Sequence, residues 1–287
     1  MKKILSILLT LFITVPLFAG EKKICHNGGY LKGNYCIVTE DEINVRSGPG
    51  TSYSKVYKVH AGDIVLVKEK CEEEMFADGA YANWYEISCD KGTGYMCGRW
   101  LSSLYAENPL KDQEYIAYET IYSRPEPFDP DWGWEEEETV SDKIIHIKDG
   151  KIDAIKGITF IPSPENPVSS YPNKIEIVDN TGLKGNPPIV VFSTYMKYGA
   201  GWFRSFRMYT LENGRLNKFF EGDSNWEGDY KYVSLVFPNK TYEGKTGTWI
   251  EKKSTYKYKI AVVKETGSTY NSGNEETVVL DFYGMEK

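Results

Sequence analysis

Histidine is scarce in this sequence, with three in 287 residues. His26, His60 and His146 stand far apart, so the two or three histidines and a carboxylate that a hydrolytic zinc site uses are missing. Cysteine is confined to the first third, at Cys25, Cys36, Cys71, Cys89 and Cys97. After Cys97 there is no cysteine and after His60 only His146, which leaves a thiolate and imidazole pair without candidates in most of the chain. A Gly-x-Ser-x-Gly elbow, a Walker motif and a dinucleotide-binding motif are also absent. Only a two-carboxylate glycosidase stays compatible with the composition; Glu119, Glu126, Glu176 and Asp179 are available, but nothing marks a pair among them. Asp129, Asp131 and Glu135 to Glu138 lack the spacing of a calcium loop. The expectation is a chain with no catalytic residues, no metal and no cofactor.

Long apolar runs are missing too, except at the start. Lys2 and Lys3 precede an apolar stretch from Ile4 to Phe18, followed by the small residues Ala19 and Gly20. The stretch falls short of the roughly 20 residues that span a bilayer, and Pro16 breaks it, so residues 1–19 read as a signal peptide. Cys25 follows Lys22, Lys23 and Ile24, a poor context for a lipid anchor. The mature chain is therefore expected in a periplasm or outside the cell, with no integral membrane segment after cleavage.

The formal charge is −7, and residues 106–140 carry eleven acids against Lys111 and Arg124. With Pro109, Pro125, Pro127 and Pro130, this segment reads as an acidic, proline-rich connector. Such a balance argues against nucleic acid, which binds through lysine and arginine.

Export makes disulfides possible, and an odd count leaves at least one cysteine unpaired. Cys25 and Cys36 bracket a Gly/Asn-rich turn within residues 20–37 and are the expected bridge. A simple hairpin places Cys89 about six residues along the strand from the position opposite Cys71, too far to bond. The pairing of Cys71, Cys89 and Cys97 stays open.

No useful length shows helical periodicity. Glu42 to Arg46 and Lys55 to Val59 read as strands joined by Ser47-Gly48-Pro49-Gly50, and Ala61-Gly62-Asp63 leads into another. Trp84 to Cys89 and Gly94 to Cys97 are joined by a Lys91-Gly92 hairpin turn. Short strands and Gly-bearing turns in this density indicate a small β-barrel. Asn44-Val45-Arg46-Ser47-Gly48-Pro49-Gly50, the Ala61-Gly62 step, Trp84-Tyr85-Glu86-Ile87 and Gly94-Tyr95 through Trp100-Leu101 resemble the bacterial SH3 (SH3b) family across residues 38–105. The loop from Glu72 to Ala82 is longer than that family's usual hairpin, and the cysteines are not required by it. The resemblance implies a noncatalytic envelope module that binds peptidoglycan or a peptide. The glycine-rich turn is expected to serve the dihedrals of the turn itself. A ligand face should be aromatic, which nominates Tyr53, Trp84, Tyr95 and Trp100, with half-buried barrel packing as the competing reading of each.

Residues 141–287 carry hairpin signals at Asp149-Gly150 and Asn213-Gly214. Strands are expected at Lys143–Ile147, Lys151–Ile155, Lys174–Val178, Ile189–Tyr195, Phe206–Leu211, Arg215–Phe220, Tyr230–Phe237, Gly247–Glu251, Tyr256–Val263 and Glu276–Phe282. The stretch from Ile175 to Gly214 is similar to one repeat of FG-GAP-like propellers, without their calcium loop and in a single copy. The expected fold is all-β: a small SH3-like barrel followed by a larger antiparallel sandwich or barrel. The expected function is an exported, noncatalytic envelope protein whose barrel binds peptidoglycan or an envelope protein or peptide. The alternative is a structural or interaction subunit whose barrel packs intramolecularly.

Overall fold

The computed structural model describes residues 22–26, 30, 32–125, 138–155, 172–198, 201–212, 215–227, 229–251, 259–268 and 271–281. The expected signal peptide, Glu126, Trp132, Trp134, Asn213-Gly214 and the acids from Asp129 to Glu137 lie outside the described residues. Every regular element among the described residues is a strand, apart from one 3-10 turn at Gly98–Trp100.

The first sheet begins with β1 (Lys22–His26), β2 (Tyr35–Val38), β3 (Ile43–Arg46), β4 (Lys55–Val59), β5 (Ile64–Ala77), β6 (Ala80–Cys89), β7 (Gly92–Cys97) and β8 (Leu101–Ser102). β3 pairs with β4 and β7, β7 with β6, β6 with β5, β5 with β2, and β2 with β8, which curls the ribbon into the small barrel. Alternation sends Val45, Val59, Val65, Val67, Tyr85, Ile87, Met96 and Leu101 inward, where they form one core with Cys36 and Val38. Tyr30, ahead of the family-like segment, belongs to the same core; its hydroxyl donates to the Leu101 carbonyl and its ring lies 5.3 Å from that of Tyr85.

The expected loop from Glu72 to Ala82 is instead the continuation of β5 and β6. The two strands pair out to Ala77 opposite Ala80, with a bulge between Lys70 and Glu74. Asp78 (φ 47°) and Gly79 (φ 82°) turn the chain in two residues, the left-handed pair that a tight hairpin takes.

β9 (Tyr105–Glu107), β10 (Glu114–Pro125), β11 (Glu138–Lys148) and β12 (Lys151–Ile155) extend the same sheet, and β1 joins it between β10 and β6. The acidic connector is thus ordered over Glu114–Pro125. Tyr115, Ile116, Tyr118, Thr120 and Ile121 are strand formers, and its two buried acids have partners. Glu114 accepts a hydrogen bond from His146 Nε2 at 2.9 Å and another from Asn108, while Glu119 accepts from Arg99 Nη1 at 3.0 Å and from Thr39. Ile37 and Ala61 of the barrel pack with Ala117, Ile145 and Ile147, so the barrel shares a core with β10 and β11.

The second sheet contains β13 (Lys174–Val178), β14 (Ile189–Tyr198), β15 (Gly201–Glu212), β16 (Arg215–Glu227), β17 (Asp229–Val236), β18 (Thr241–Glu243), β19 (Thr248–Ile250), β20 (Lys259–Ser268) and β21 (Asn271–Asp281). All pairings are antiparallel, in the order β13-β14-β15-β16-β17-β18-β19, with β20 on β17 and β21 on β20. Both faces of β14 over Ile189–Phe192 and of β15 over Met208–Leu211 are buried. Ile189, Val191, Phe206 and Met208 fill the inside of this curled sheet with Val233, Leu235, Phe237, Tyr242, Ile260 and Val262. Val190, Phe192, Tyr209 and Leu211 point the other way, onto Ile116, Tyr118 and Ile144 of the first sheet. The unbroken Ile189-Val-Val-Phe192 run follows from that double burial.

The expected Cys25–Cys36 bridge is not formed. Cys25 pairs with Tyr81 near the tip of the β5–β6 hairpin, and Cys36 with Val65 at its base. Two strands and most of a hairpin lie between them, beyond the roughly 7 Å between Cα atoms that a bridge tolerates. Cys36, Cys71, Cys89 and Cys97 are free thiols.

Candidate functional site

The outer face of β6 and β7 is set by register. Trp84 stands opposite Cys97 and Glu86 opposite Tyr95, while the intervening Tyr85, Ile87 and Met96 point into the barrel core. The bulge in β5 lies across from Trp84, and Cys71 and Met75 join the outer face. A second, smaller apolar cluster results: Ala82, Trp84 and Cys97 are buried, with Cys71, Met75, Tyr95 and Trp100 packed around them.

Of the four aromatic candidates, the structure brings Trp84, Tyr95 and Trp100 together. Trp84 is 3% exposed and is the floor of the cluster rather than a contact residue. Tyr95 and Trp100 are half-buried rims. The Trp100 indole donates to Asp78 Oδ2 at 3.0 Å, which ties the hairpin tip to the 3-10 turn. Tyr53 is 47% exposed and sits on the neighbouring glycine turn. Arg46 pairs with Tyr95 across β3 and β7, and its guanidinium donates to the carbonyls of Thr51 and Tyr53 at 2.8 and 2.7 Å. That turn departs from the expectation in one respect. A Cβ on Gly48 would lie 2.4 Å from the Tyr53 ring, and Gly48 is not among the positive-φ residues, so glycine is required there by the ring and not by its dihedrals.

The face is acidic. Glu86, then burial, raises the Tyr95 phenol above its ordinary value, with Glu73 and Tyr53 adding to it. Burial, then Glu73, raises the Cys71 thiol. Among the described residues no cation forms an ion pair with Glu73 or Glu86. Met75, Asp78 and Glu73 escaped the sequence reading because their segment looked like a loop; the signal that marked them was the Asp78-Gly79 turn.

Among the described residues nothing on this face couples a nucleophile to a base. Glu119 is buried in its ion pair, Glu176 pairs with Lys174 at 2.8 Å and Asp179 with Lys240 at 3.5 Å; Glu126 lies outside the described residues. Among the described residues no group of three or more His, Cys, Asp or Glu is placed to hold a metal, and no helix is long and apolar enough to cross a membrane.

Residues 41–102 match the bacterial SH3 domain family. That is a binding-domain family, and the match agrees with a cell-wall or ligand-binding role for this segment. No curated protein and no solved structure matches the chain.

Proposed function

We propose, from the bacterial SH3 domain at residues 41–102, that the chain is an exported, noncatalytic envelope protein whose barrel docks on peptidoglycan or a wall-derived peptide. The observation that carries this reading is the clustering of Tyr95, Trp100 and Met75 over a buried Trp84, beside Tyr53, on the outer face of the barrel. Aromatic rims lose little entropy on binding, and the unpaired carboxylates of Glu73 and Glu86 favour a ligand that carries an amine.

The test is co-sedimentation of the mature full-length chain with purified sacculi. Tyr95→Ala and Trp100→Ala should each weaken binding about tenfold while the protein stays folded. Full binding by both folded variants overturns the assignment of this face. No pelleting of the wild type overturns wall docking.

A second reading has its own support. The barrel shares a sheet and a core with β10 to β12, as a subunit with an intramolecularly packed barrel would. The outer aromatic cluster and that shared core have no residue in common, and the two readings divide on whether sacculi bind the cluster.

A further inference from the structure

The inside of the second sheet changes character along its length. On β14 and β15 the cross-strand pairs run Val191–Met208, Ser193–Phe206, Tyr195–Arg204 and Lys197–Trp202. The first of these pairs and Phe206 belong to the apolar core, and the last two continue the same face as an alternating set of aromatics and cations. A face that only closed a core would stay apolar to its end.

The aromatics form a row. Tyr195 and Trp202 have ring centroids 6.3 Å apart, Trp202 and Tyr232 5.8 Å, and Tyr232 and Tyr230 4.8 Å, the last two pairs being stacked. The Arg204 guanidinium lies 5.0 Å from the Tyr195 centroid and 5.9 Å from that of Trp202, and Lys245 lies 5.4 Å from that of Tyr232. Gly247 makes room for the arginine, since a Cβ there would fall 1.5 Å from its Nη1. A guanidinium held by its faces keeps its in-plane donors available.

Those donors have no carboxylate. Elsewhere on this sheet Arg207 and Lys218 pair with Glu221, Lys231 with Asp223, and Lys174 with Glu176. Among the described residues no acid forms an ion pair with Lys197, Arg204 or Lys245, in a chain whose net charge is −7. Glu265, beside Tyr232, is the acid at the far end of the row. Behind Arg204, Tyr242 is fully buried, with Arg204 and Ser193 as the polar side chains nearest its hydroxyl. Three cations without an ion pair and an extended aromatic row are the components of a site for an anion carried on an apolar-faced chain.

We infer that this end of the second sheet binds a carboxylate-bearing oligosaccharide, with Arg204 forking the carboxylate, Lys197 and Lys245 adding charge, and the sugar rings lying along Tyr195, Trp202 and Tyr232. A single-stranded nucleic acid would use the same stacking and charge, so tighter binding of an oligonucleotide than of an acidic oligosaccharide of equal length overturns the inference.

The test is calorimetric titration of the mature full-length protein with four probes: an oligogalacturonate, a neutral chitooligosaccharide of equal length, a poly-glutamate peptide, and a single-stranded oligonucleotide of equal length. The oligogalacturonate should bind, the neutral sugar and the peptide at least about tenfold more weakly, and the oligonucleotide no more tightly. Arg204→Gln should lose about tenfold or more for the oligogalacturonate. Because Arg204 is half-buried, the double variant Lys197→Gln, Lys245→Gln, both exposed, is the control: its affinity should fall while its denaturation midpoint stays unchanged. Absence of oligogalacturonate binding overturns the inference. So does equal binding of the neutral sugar, equal binding of poly-glutamate, or unchanged affinity in the double variant. Sacculus binding by the barrel is scored separately and does not bear on these outcomes.

Discussion

Arg99 Nη1 lies 3.0 Å from Glu119 Oε2 with both side chains almost wholly buried, which joins the 3-10 turn of the barrel to the middle of β10. Thr39 donates to the second carboxylate oxygen, and the Arg99 Nε is buried without a partner. Removing one member of such a pair strands the other charge in the interior. Glu119→Ala should therefore lower stability by about 3–5 kcal/mol, read from urea denaturation, and Arg99→Ala by a similar amount. The double variant should cost less than the sum of the two. An unchanged denaturation midpoint in Glu119→Ala would show the barrel to be independent of β10.

Glu114 is the second buried acid of that strand, and it sets a pH dependence. Burial pushes its pKa up, but hydrogen bonds from His146 and Asn108 and the nearby Lys111 outweigh this and hold it below its ordinary 4.5. A carboxylate depressed in the folded state contributes stability that is complete above its unfolded value and is lost as pH falls through the folded value. Stability should thus fall on acidification from about pH 5 to pH 3, and Glu114→Gln should flatten that slope. Parallel slopes in wild type and variant would remove Glu114 from the account.

These two acids also show where the sequence stopped being informative. Charge counting treats Glu114 and Glu119 as solvated members of an acidic run, whereas their hydrogen-bond partners, His146 and Arg99, sit 32 and 20 residues away in the chain. Local chemistry, by contrast, was legible. Asp149 and Gly150 take φ of 50° and 69° between β11 and β12, as a two-residue Asp-Gly turn requires, and Glu212 pairs with Arg215 around the expected second hairpin. β13 runs from Lys174 to Val178, the bounds expected from the sequence. At the candidate site, Trp84, Tyr95 and Trp100 lie within the family-like motif and were nominated. Met75 and Asp78 were not, because three consecutive glutamates hid a strand whose bulge only the partner strand reveals. Tyr195, Trp202 and Arg204 come together through cross-strand register, which no single segment displays.

Thiol reactivity should follow burial. Burial raises Cys36 to about 12 and Cys97 to about 11, so little thiolate exists at either in the folded protein. Cys71 and Cys89 are part-exposed. A short iodoacetamide pulse near neutral pH, mapped by peptide mass spectrometry, should label Cys71 and Cys89 well before Cys36 and Cys97. In urea all four should label together. Early labelling of Cys36 would contradict its place in the barrel core.

Gly48 and Tyr53 should prove energetically coupled. An added Cβ at Gly48 would fall 2.4 Å from the Tyr53 ring, a separation that real side chains do not show, so Gly48→Ala must displace the ring or the turn. Overpacking of this kind costs about 1–3 kcal/mol. Tyr53→Ala removes the obstacle, so Gly48→Ala introduced into that background should be nearly neutral, giving a coupling energy of at least about 1 kcal/mol in a double-mutant cycle. Additive effects would mean that the turn needs Gly48 for its backbone alone. Under the docking proposal the two perturbations also converge on one function. Gly48→Ala should weaken sacculus binding as Tyr53→Ala does, and the double variant should bind no worse than Tyr53→Ala alone.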